Sequence, residues 1–427
     1  MANDMPVSLK NACIYELFIR NHTPKGNFIS IIDDLERIRT LGVDIIWLMP
    51  VHPIGQEARK GSLGSPYAIA DFRNVHPGYG SMDDLELLID EIHFHKMKIM
   101  LDIVFHHTSP DSVLARNHSN WFNRDGAGQP FRKVDDWSDI IDLDYSHRDL
   151  WEYQIETLKQ WTKIQIDGFR CDVAPMIPVD FWSKAWMEIA AIRPDMIWLA
   201  ETLDPDFTQK LAKNGHVTHT DDEICQVFDM TYDYEGYTVF KRYMKKEIRL
   251  IDYVSYLIKQ DAKFPQHAVK LRFLENHDTP RAAKLCPTPA TLSNWTAFQA
   301  FLKGAFLIYA GQELAMTTTP SLFERETVNW KSSNANFASF IARLCELKKS
   351  PIFAEGKFTL YPVDDFLMAK WEKQGHGYLG IFNVQNISGK RRVELTDGRY
   401  PDQLSRYSYQ VENRLLTMQK MPLILKF

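Results

Sequence analysis

The sequence is poor in cysteine, with five in 427 residues, at positions 13, 171, 225, 286 and 345. An odd number so widely spaced gives no disulfide framework, and all five read as reduced core residues, three of them (Cys13, Cys171 and Cys225) inside expected strands. A reducing cytoplasm is therefore the expected compartment. Charge of one sign is also missing. A formal net charge of -5 leaves no basic excess, which argues against a nucleic-acid partner and for a neutral one. No apolar run approaches the length of a membrane-spanning helix, and the opening MANDMPVSLKNACIYELF has no charged segment followed by an apolar one. Neither a membrane anchor nor a secretory signal is expected.

What the chain does have is a filled interior and many aromatics. Hydrophobic residues make up 45%, with Trp 11, Tyr 17 and Phe 25, enough for one large domain and a smaller one. Most aromatics are expected in the core. An excess of this size also suits surfaces that stack on flat apolar faces.

In chain order, strand and helix alternate. Ala12 to Ile19 is an expected strand; Phe28, Ile31, Ile32, Leu35 and Ile38 then recur at helical spacing until Gly42, and Asp44 to Met49 is a second apolar strand. Ser81 with Asp84 resembles a capping box opening a helix, followed by a strand from Lys98 to Phe105. Residues 108–140 are polar and without period, so they read as a short insert. Ser146 and Asp149 are expected to cap a helix through Trp161. Strands are then expected at Ile166 to Cys171, Ile197 to Ala200, Cys225 to Met230, Val269 to Leu274 and Ala305 to Ala310. Eight buried strands separated by helices predict a closed parallel (β/α)8 barrel of the α/β class over 1–107 and 141–350. After the helix Phe337 to Lys348 the pattern changes. From Phe353 onward it alternates in the strand period, as in Phe366 to Trp371, Tyr378 to Val384 and Arg391 to Leu395, predicting an antiparallel β domain over 351–427.

Barrel chemistry sits at the C-terminal ends of the strands. Four expected strands end in polar clusters: Asp102 to His107, Arg170 to Asp172, Glu201, and Asn276 to Asp278. Alternation along the fourth strand puts Arg170 and Asp172 on one face, where the guanidinium would keep Asp172 an anion. Taken alone, the stretch Ile166 to Pro175 fits a structural Arg/Asp pair at a strand end at least as well. Three carboxylates on three strand ends, with two histidines and an arginine beside them, point to catalysis rather than to solvated surface.

These clusters carry a resemblance. DIVFHH, GFRCD, AETLD and FLENHD resemble, in order and spacing, the four strand-end motifs of glycoside hydrolase family 13, the α-amylase family. LGVDIIWLMPVHP, SPYAIADF, DLDYSHRDL and IYAGQE are similar to further segments of that family. The resemblance implies a retaining enzyme acting on α-glucosidic bonds of maltodextrins or related α-glucans, with Asp172 as nucleophile, Glu201 as general acid/base and Asp278 as transition-state stabiliser. It implies Tyr67 as the aromatic stacking on the sugar, and Asp102, His107, Arg170 and His277 as substrate-binding or positioning residues. Physically, two carboxyl groups about 5 to 5.5 Å apart, one charged and one protonated, suit double displacement. Glu201 follows an apolar strand and can be held protonated by burial and acidic neighbours.

The alternatives are a glucanotransferase or glycosyl isomerase on the same scaffold, or a non-catalytic carbohydrate-binding protein, against which the complete acidic triad argues. Tyr79, Trp121 and Trp137 are expected to pack or anchor loops rather than to line sugar subsites. His22, His52, His76 and His95 read as structural or solvated. The chain departs from the family pattern at His106, where Asn is usual, and at Ala174-Pro175, where many members carry Lys-His. No metal or other cofactor is expected. His106 replaces a hard oxygen ligand of the family's calcium site, the NHTPKGNF loop lacks an acidic run, and Asp142 alone, free to pair with His106 or Arg170, does not make a site. The expected partner is an α-linked glucose oligosaccharide, with no nucleic acid and no membrane.

Overall fold

A computed structural model describes residues 7–331 and 334–427. The opening segment read as free of a signal falls partly on residues 1–6, outside the described residues. Eight strands close a parallel barrel: β1 (Cys13–Leu17), β2 (Ile45–Leu48), β3 (Lys98–Ile103), β4 (Gly168–Cys171), β5 (Ile197–Ala200), β6 (Met230–Tyr232), β7 (Val269–Arg272) and β8 (Ala305–Tyr309). Each pairs with its sequence neighbours, and β8 returns to β1 with Cys13 opposite Phe306. Burial is complete along nearly every strand, which is why they read as continuous apolar runs.

Several elements differ from expectation for local reasons. The sixth strand is Met230–Tyr232, not Cys225 to Met230. Thr220 and Glu223 form a capping box that opens a one-turn helix, Asp221–Ile224, and Cys225 is its cap, buried by packing rather than by pairing. The first long helix breaks into α1 (Phe28–Ile32) and α2 (Leu35–Thr40). Asp34, between them, turns aside to accept from Arg37 Nε at 2.7 Å and to pair with His22 Nε2 at 2.7 Å. Gly42 follows α2 with φ +85°, a left-handed turn that a β-carbon would strain.

The capping box of α3 (Met82–Phe94) is as expected, with Asp84 N–H donating to Ser81 Oγ and Ser81 N–H to Asp84 Oδ2. Ser146 does not cap α4 (Arg148–Lys163). His147 holds that position, and Asp144 takes the Ser146 N–H in a turn one residue earlier. The insert is a small appendage rooted by an antiparallel bridge of His107 and Thr108 to Asp142 and Ile141. One short helix in it, Val113–Asn117, is capped by Ser112.

After α5 (Ala335–Lys348) the chain makes one more helical turn, Ile352–Glu355, so Phe353 lies in a helix and not in the strand pattern. An antiparallel sheet follows in the order β9 (Lys357–Tyr361), β10 (Leu367–Lys373), β11 (His376–Phe382), β12 (Leu423–Lys426). Two-stranded pairs at 390–392 with 415–417 and at 398–401 with 408–411 complete it. Among the described residues no helix is long and apolar enough to cross a membrane.

Candidate active site

At the C-terminal mouth of the barrel the side chains at the strand ends converge, Asp102 and Arg170 from within the ladder and Asp172, Glu201, His277 and Asp278 from just beyond it. Arg170, on β4, is fully buried and stands at the centre. Its Nη1 donates to Asp102 Oδ1 at 2.9 Å and to Asp172 Oδ1 at 2.7 Å, and its Nη2 lies 3.0 Å from Glu201 Oε1. One guanidinium therefore faces three carboxyl groups from three strands. The alternation read from the sequence is what places Arg170 beside Asp172 two residues on.

Burial changes the titration expected from that pairing. It pushes Asp172 up to about 6 against the pull of Arg170, so this carboxyl is ionised at neutral pH but not strongly acidic. Asp102 is likewise pushed up to about 6 by burial, again opposed by Arg170. Glu201 goes to about 8: burial raises it, the Arg170 charge opposes, and the Asp172 and Asp278 charges raise it further. Two adjacent carboxyls thus sit on opposite sides of neutrality. Glu201 also lies close enough to hydrogen-bond to Asp172, which offsets part of the burial cost of the latter's charge.

A second group stands opposite. His277 Nδ1 meets Glu16 Oε1 at 2.5 Å, and its Nε2 lies 3.2 Å from Asp278 Oδ2 and 2.8 Å from the Tyr67 hydroxyl. Burial opposes charge on this ring, but Asp278 and Glu16 hold its pKa well above the ordinary value, so it is an imidazolium. Asp278 is kept below its usual range by that cation although burial works against it, and it remains 46% exposed at the cleft. Tyr67 donates to Asp102 Oδ2 at 3.0 Å and stacks on His277, centroids 5.2 Å apart. His107 borders the same space. Burial brings it down to about 4, so it is a neutral ring.

The structure brings all eight sequence-derived residues together. Tyr67, His107, Asp172, Glu201, His277 and Asp278 line one cavity of about 310 Å³, and Arg170 and Asp102 lie directly beneath. Trp137 also lines it, tilted 5.5 Å from the His107 ring, so it belongs to the cavity wall and is more than a loop anchor. Tyr79 and Trp121 are buried packing residues as expected.

Sequence reasoning missed several partners. Glu16 is the one acid inside the buried strand CIYEL, and that anomaly was a legible signal. Trp47, whose Nε1 donates to Asp102 Oδ2 at 3.2 Å, and Tyr234, whose hydroxyl donates to Glu201 Oε1 at 3.3 Å, read as ordinary core aromatics. Val173 carried no signal at all. It adopts φ +37°, ψ 43°, rare for a β-branched residue, and this aims its N–H at Glu201 Oε2 at 2.9 Å.

The region where a calcium ion would bind does not fit one. His106 is neutral because burial drives its pKa well down, and its Nε2 is 3.7 Å from Asp142 Oδ2. Asp142 Oδ2 accepts the Lys133 N–H at 2.9 Å instead, and hydrogen-bonds to neither His106 nor Arg170. The unpartnered atoms left there are one imidazole nitrogen and one carboxylate oxygen, far from the six to eight hard oxygens calcium takes.

Comparison with known proteins agrees with this architecture. The model of the alpha amylase catalytic domain matches residues 13–346, and that of the bacterial alpha amylase C-terminal domain matches residues 358–425. An alpha-amylase from Lactobacillus plantarum is similar in structure, 40% identical with a TM-score of 0.95 over 99% of this chain and 100% of that one. A noncanonic maltogenic alpha-amylase from Thermotoga neapolitana is 32% identical, with a TM-score of 0.87 over 98% of this chain and 99% of its own. The alpha-1,4-glucan:maltose-1-phosphate maltosyltransferase of Burkholderia pseudomallei is 30% identical over 332 residues, 70% of this chain but 27% of that protein. The chain thus spans well under half of that relative. A closed parallel barrel, acidic groups on its fourth, fifth and seventh strand ends, and family models covering both domains lead to one assignment: the chain belongs to the α-amylase family, glycoside hydrolase family 13.

Proposed function

We propose that the protein is a retaining glycoside hydrolase cleaving α-glucosidic bonds of maltodextrins or related α-glucans. The observation carrying this is the pair of adjacent carboxyls pushed to either side of neutrality, Asp172 to about 6 and Glu201 to about 8. In the first step Asp172 attacks the anomeric carbon as the bond to the leaving oxygen breaks, and the Glu201 proton passes to that oxygen. Arg170 engages Asp172 Oδ1, which leaves Oδ2 to form the new bond. A water then attacks the glycosyl carbon, gives its proton to Glu201 and releases Asp172. Asp278, His277 and His107 face the ring from the cavity wall and are assigned to its hydroxyls, with Tyr67 against its apolar face.

Transfer to a sugar acceptor uses the same intermediate, and the similarity to a maltosyltransferase keeps it as the second reading. Incubation with maltose, maltotriose, starch, isomaltose, sucrose and trehalose, with products resolved by chromatography, separates the two. Shorter sugars alone mean hydrolysis, longer ones mean transfer, and no reaction on any sugar overturns both.

The poor donor set at His106 and Asp142 supports catalysis without a metal. Exhaustive chelation is expected to leave activity and melting temperature unchanged, and a large loss restored by calcium would refute that. The five cysteines, free and buried, support a reducing, cytoplasmic location.

A further inference from the structure

The proposed reaction asks one carboxyl for opposite states. Glu201 gives up its proton as the first bond breaks, and must stand as an anion to take a proton from water in the second step. Burial and the charges of Asp172 and Asp278 favour its acid form, which suits the first step only. The charged and titratable groups facing it are Arg170 and Asp172 from β4, Asp102 from β3, Tyr232 and Tyr234 at the end of β6, and Asp278 beyond β7. Arg170 is the one cation among these, and it also serves Asp102 and Asp172.

Hydrogen-bond donors are as few. Among the described residues each Glu201 oxygen accepts one: Oε2 from the Val173 N–H at 2.9 Å, and Oε1 from the Tyr234 hydroxyl at 3.3 Å. Arg170 Nη2 lies 3.0 Å from Oε1 without making a hydrogen bond. Tyr234 is buried, opens the helix after β6 (Tyr234–Met244) and does not line the catalytic cavity. Asp233, just before it, accepts the Gly236 N–H at 3.1 Å and pairs with Arg272, which pins the turn. The ring stacks on Tyr232, centroids 5.3 Å apart, and meets Phe273 edge to face at 5.4 Å.

The neighbouring amide sets which way the phenol proton points. Asn276, fully buried, accepts the Asp278 N–H on Oδ1 at 3.0 Å, so its Nδ2 is the atom that donates to the Tyr234 oxygen, at 3.0 Å. That leaves the hydroxyl proton for Glu201. A donor aimed at a carboxylate stabilises the charged form. We propose that Tyr234 is a positioning residue for the second step, its hydroxyl holding Glu201 as the anion that receives the proton of the attacking water. The proposal rests on the double displacement proposed above.

The test is Tyr234→Phe, which keeps the ring and its aromatic contacts and deletes the donor. The acid form of Glu201 then gains, so the alkaline limb of kcat/KM on maltotriose is expected to move up by about one pH unit. On a nitrophenyl maltoside the first step needs no proton, so kcat/KM should keep its wild-type value. There kcat and KM should fall together near neutrality, by about threefold or more, as glycosyl-enzyme accumulates, and kcat should recover as the pH is raised. Asn276→Asp offers the phenol proton a competing acceptor and should move the alkaline limb the same way. An alkaline limb that stays in place in whichever of the two variants folds would overturn the role of Tyr234, as would activity lost equally at every pH. Inactivity of the wild type on the whole sugar panel would instead overturn the proposed reaction.

Discussion

At the scale of single residues, the titration of two carboxyls decides the pH behaviour. Asp172 attacks only when ionised, so activity is lost as pH falls through about 6; Glu201 acts only when protonated, so activity is lost as pH rises through about 8. A bell centred near neutrality is expected, its two limbs belonging to the coupled pair rather than to either residue alone. Glu201→Gln should slow natural substrates by about a thousandfold, yet recover on nitrophenyl glycosides, whose leaving group needs no proton, and there lose the alkaline limb. An alkaline limb that persists in Glu201→Gln would assign the proton elsewhere. Asp172→Asn should lower turnover by more than about a thousandfold while the folded protein still binds a non-hydrolysable maltooligosaccharide; near-normal turnover would remove Asp172 from its role. Strand ends and motif order made these residues legible in the sequence. The protonation of Glu201 was legible in direction. The anionic state of Asp172 at neutral pH was legible as well; how near neutrality it titrates was not, because the Arg170 guanidinium is shared with Asp102 and Glu201 and sits in a dry site. Val173 was invisible for a different reason: a left-handed backbone imposed by its surroundings leaves no trace in a residue type that avoids it.

At the scale of elements, what could be read depended on whether a local pattern was self-sufficient. Both halves of the Ser81 and Asp84 capping box lie within four residues, and the structure contains it. Ser81→Ala is expected to cost about 1 kcal/mol in a denaturant titration. The matching reading at Ser146 failed, because Asp144 draws the chain into a turn first and shifts the helix start by one residue. Ser146→Ala should accordingly stay within about 0.5 kcal/mol of the wild type. Equal costs at the two serines would show that the difference between the caps has no energetic content. The sixth strand was misplaced on the same principle. Cys225, Val227 and Phe228 are buried and apolar, and periodicity over so few residues does not separate a strand from the tail of a capped helical turn. The eight-unit count survived, since a shift of one strand along the chain leaves the alternation of strand and helix intact.

At the scale of the whole molecule, the change of pattern after residue 350 marks a change of architecture but not a break in the core. The helix Pro289–Phe301 is buried along its whole length from Leu292 to Phe301, because the barrel covers one side and the C-terminal sheet the other. One continuous apolar cluster runs from the barrel through Phe298 and Phe301 into Trp371, Tyr378 and Phe382. Phe298 and Phe301 both meet Phe382 edge to face, with centroids 5.4 and 5.5 Å apart. Trp371, 2% exposed on β10, donates its indole N–H to the Phe301 carbonyl at 2.7 Å, taking up a helix-end acceptor that water cannot reach. Sequence alone does not say which helix forms this seam, because burial on two sides by different domains looks the same as burial in one. The two architectures should therefore unfold as one unit. Trp371→Ala is expected to cost about 3 to 5 kcal/mol through the cavity it leaves. Trp371→Phe should cost about 1 to 3 kcal/mol, mainly through the carbonyl left without a donor. Both should shift a single calorimetric transition that carries the barrel with it, and catalytic activity should disappear along that same transition. If the variants instead split off a separate low-temperature transition while the barrel melted as before, the shared cluster would not be coupling the two domains.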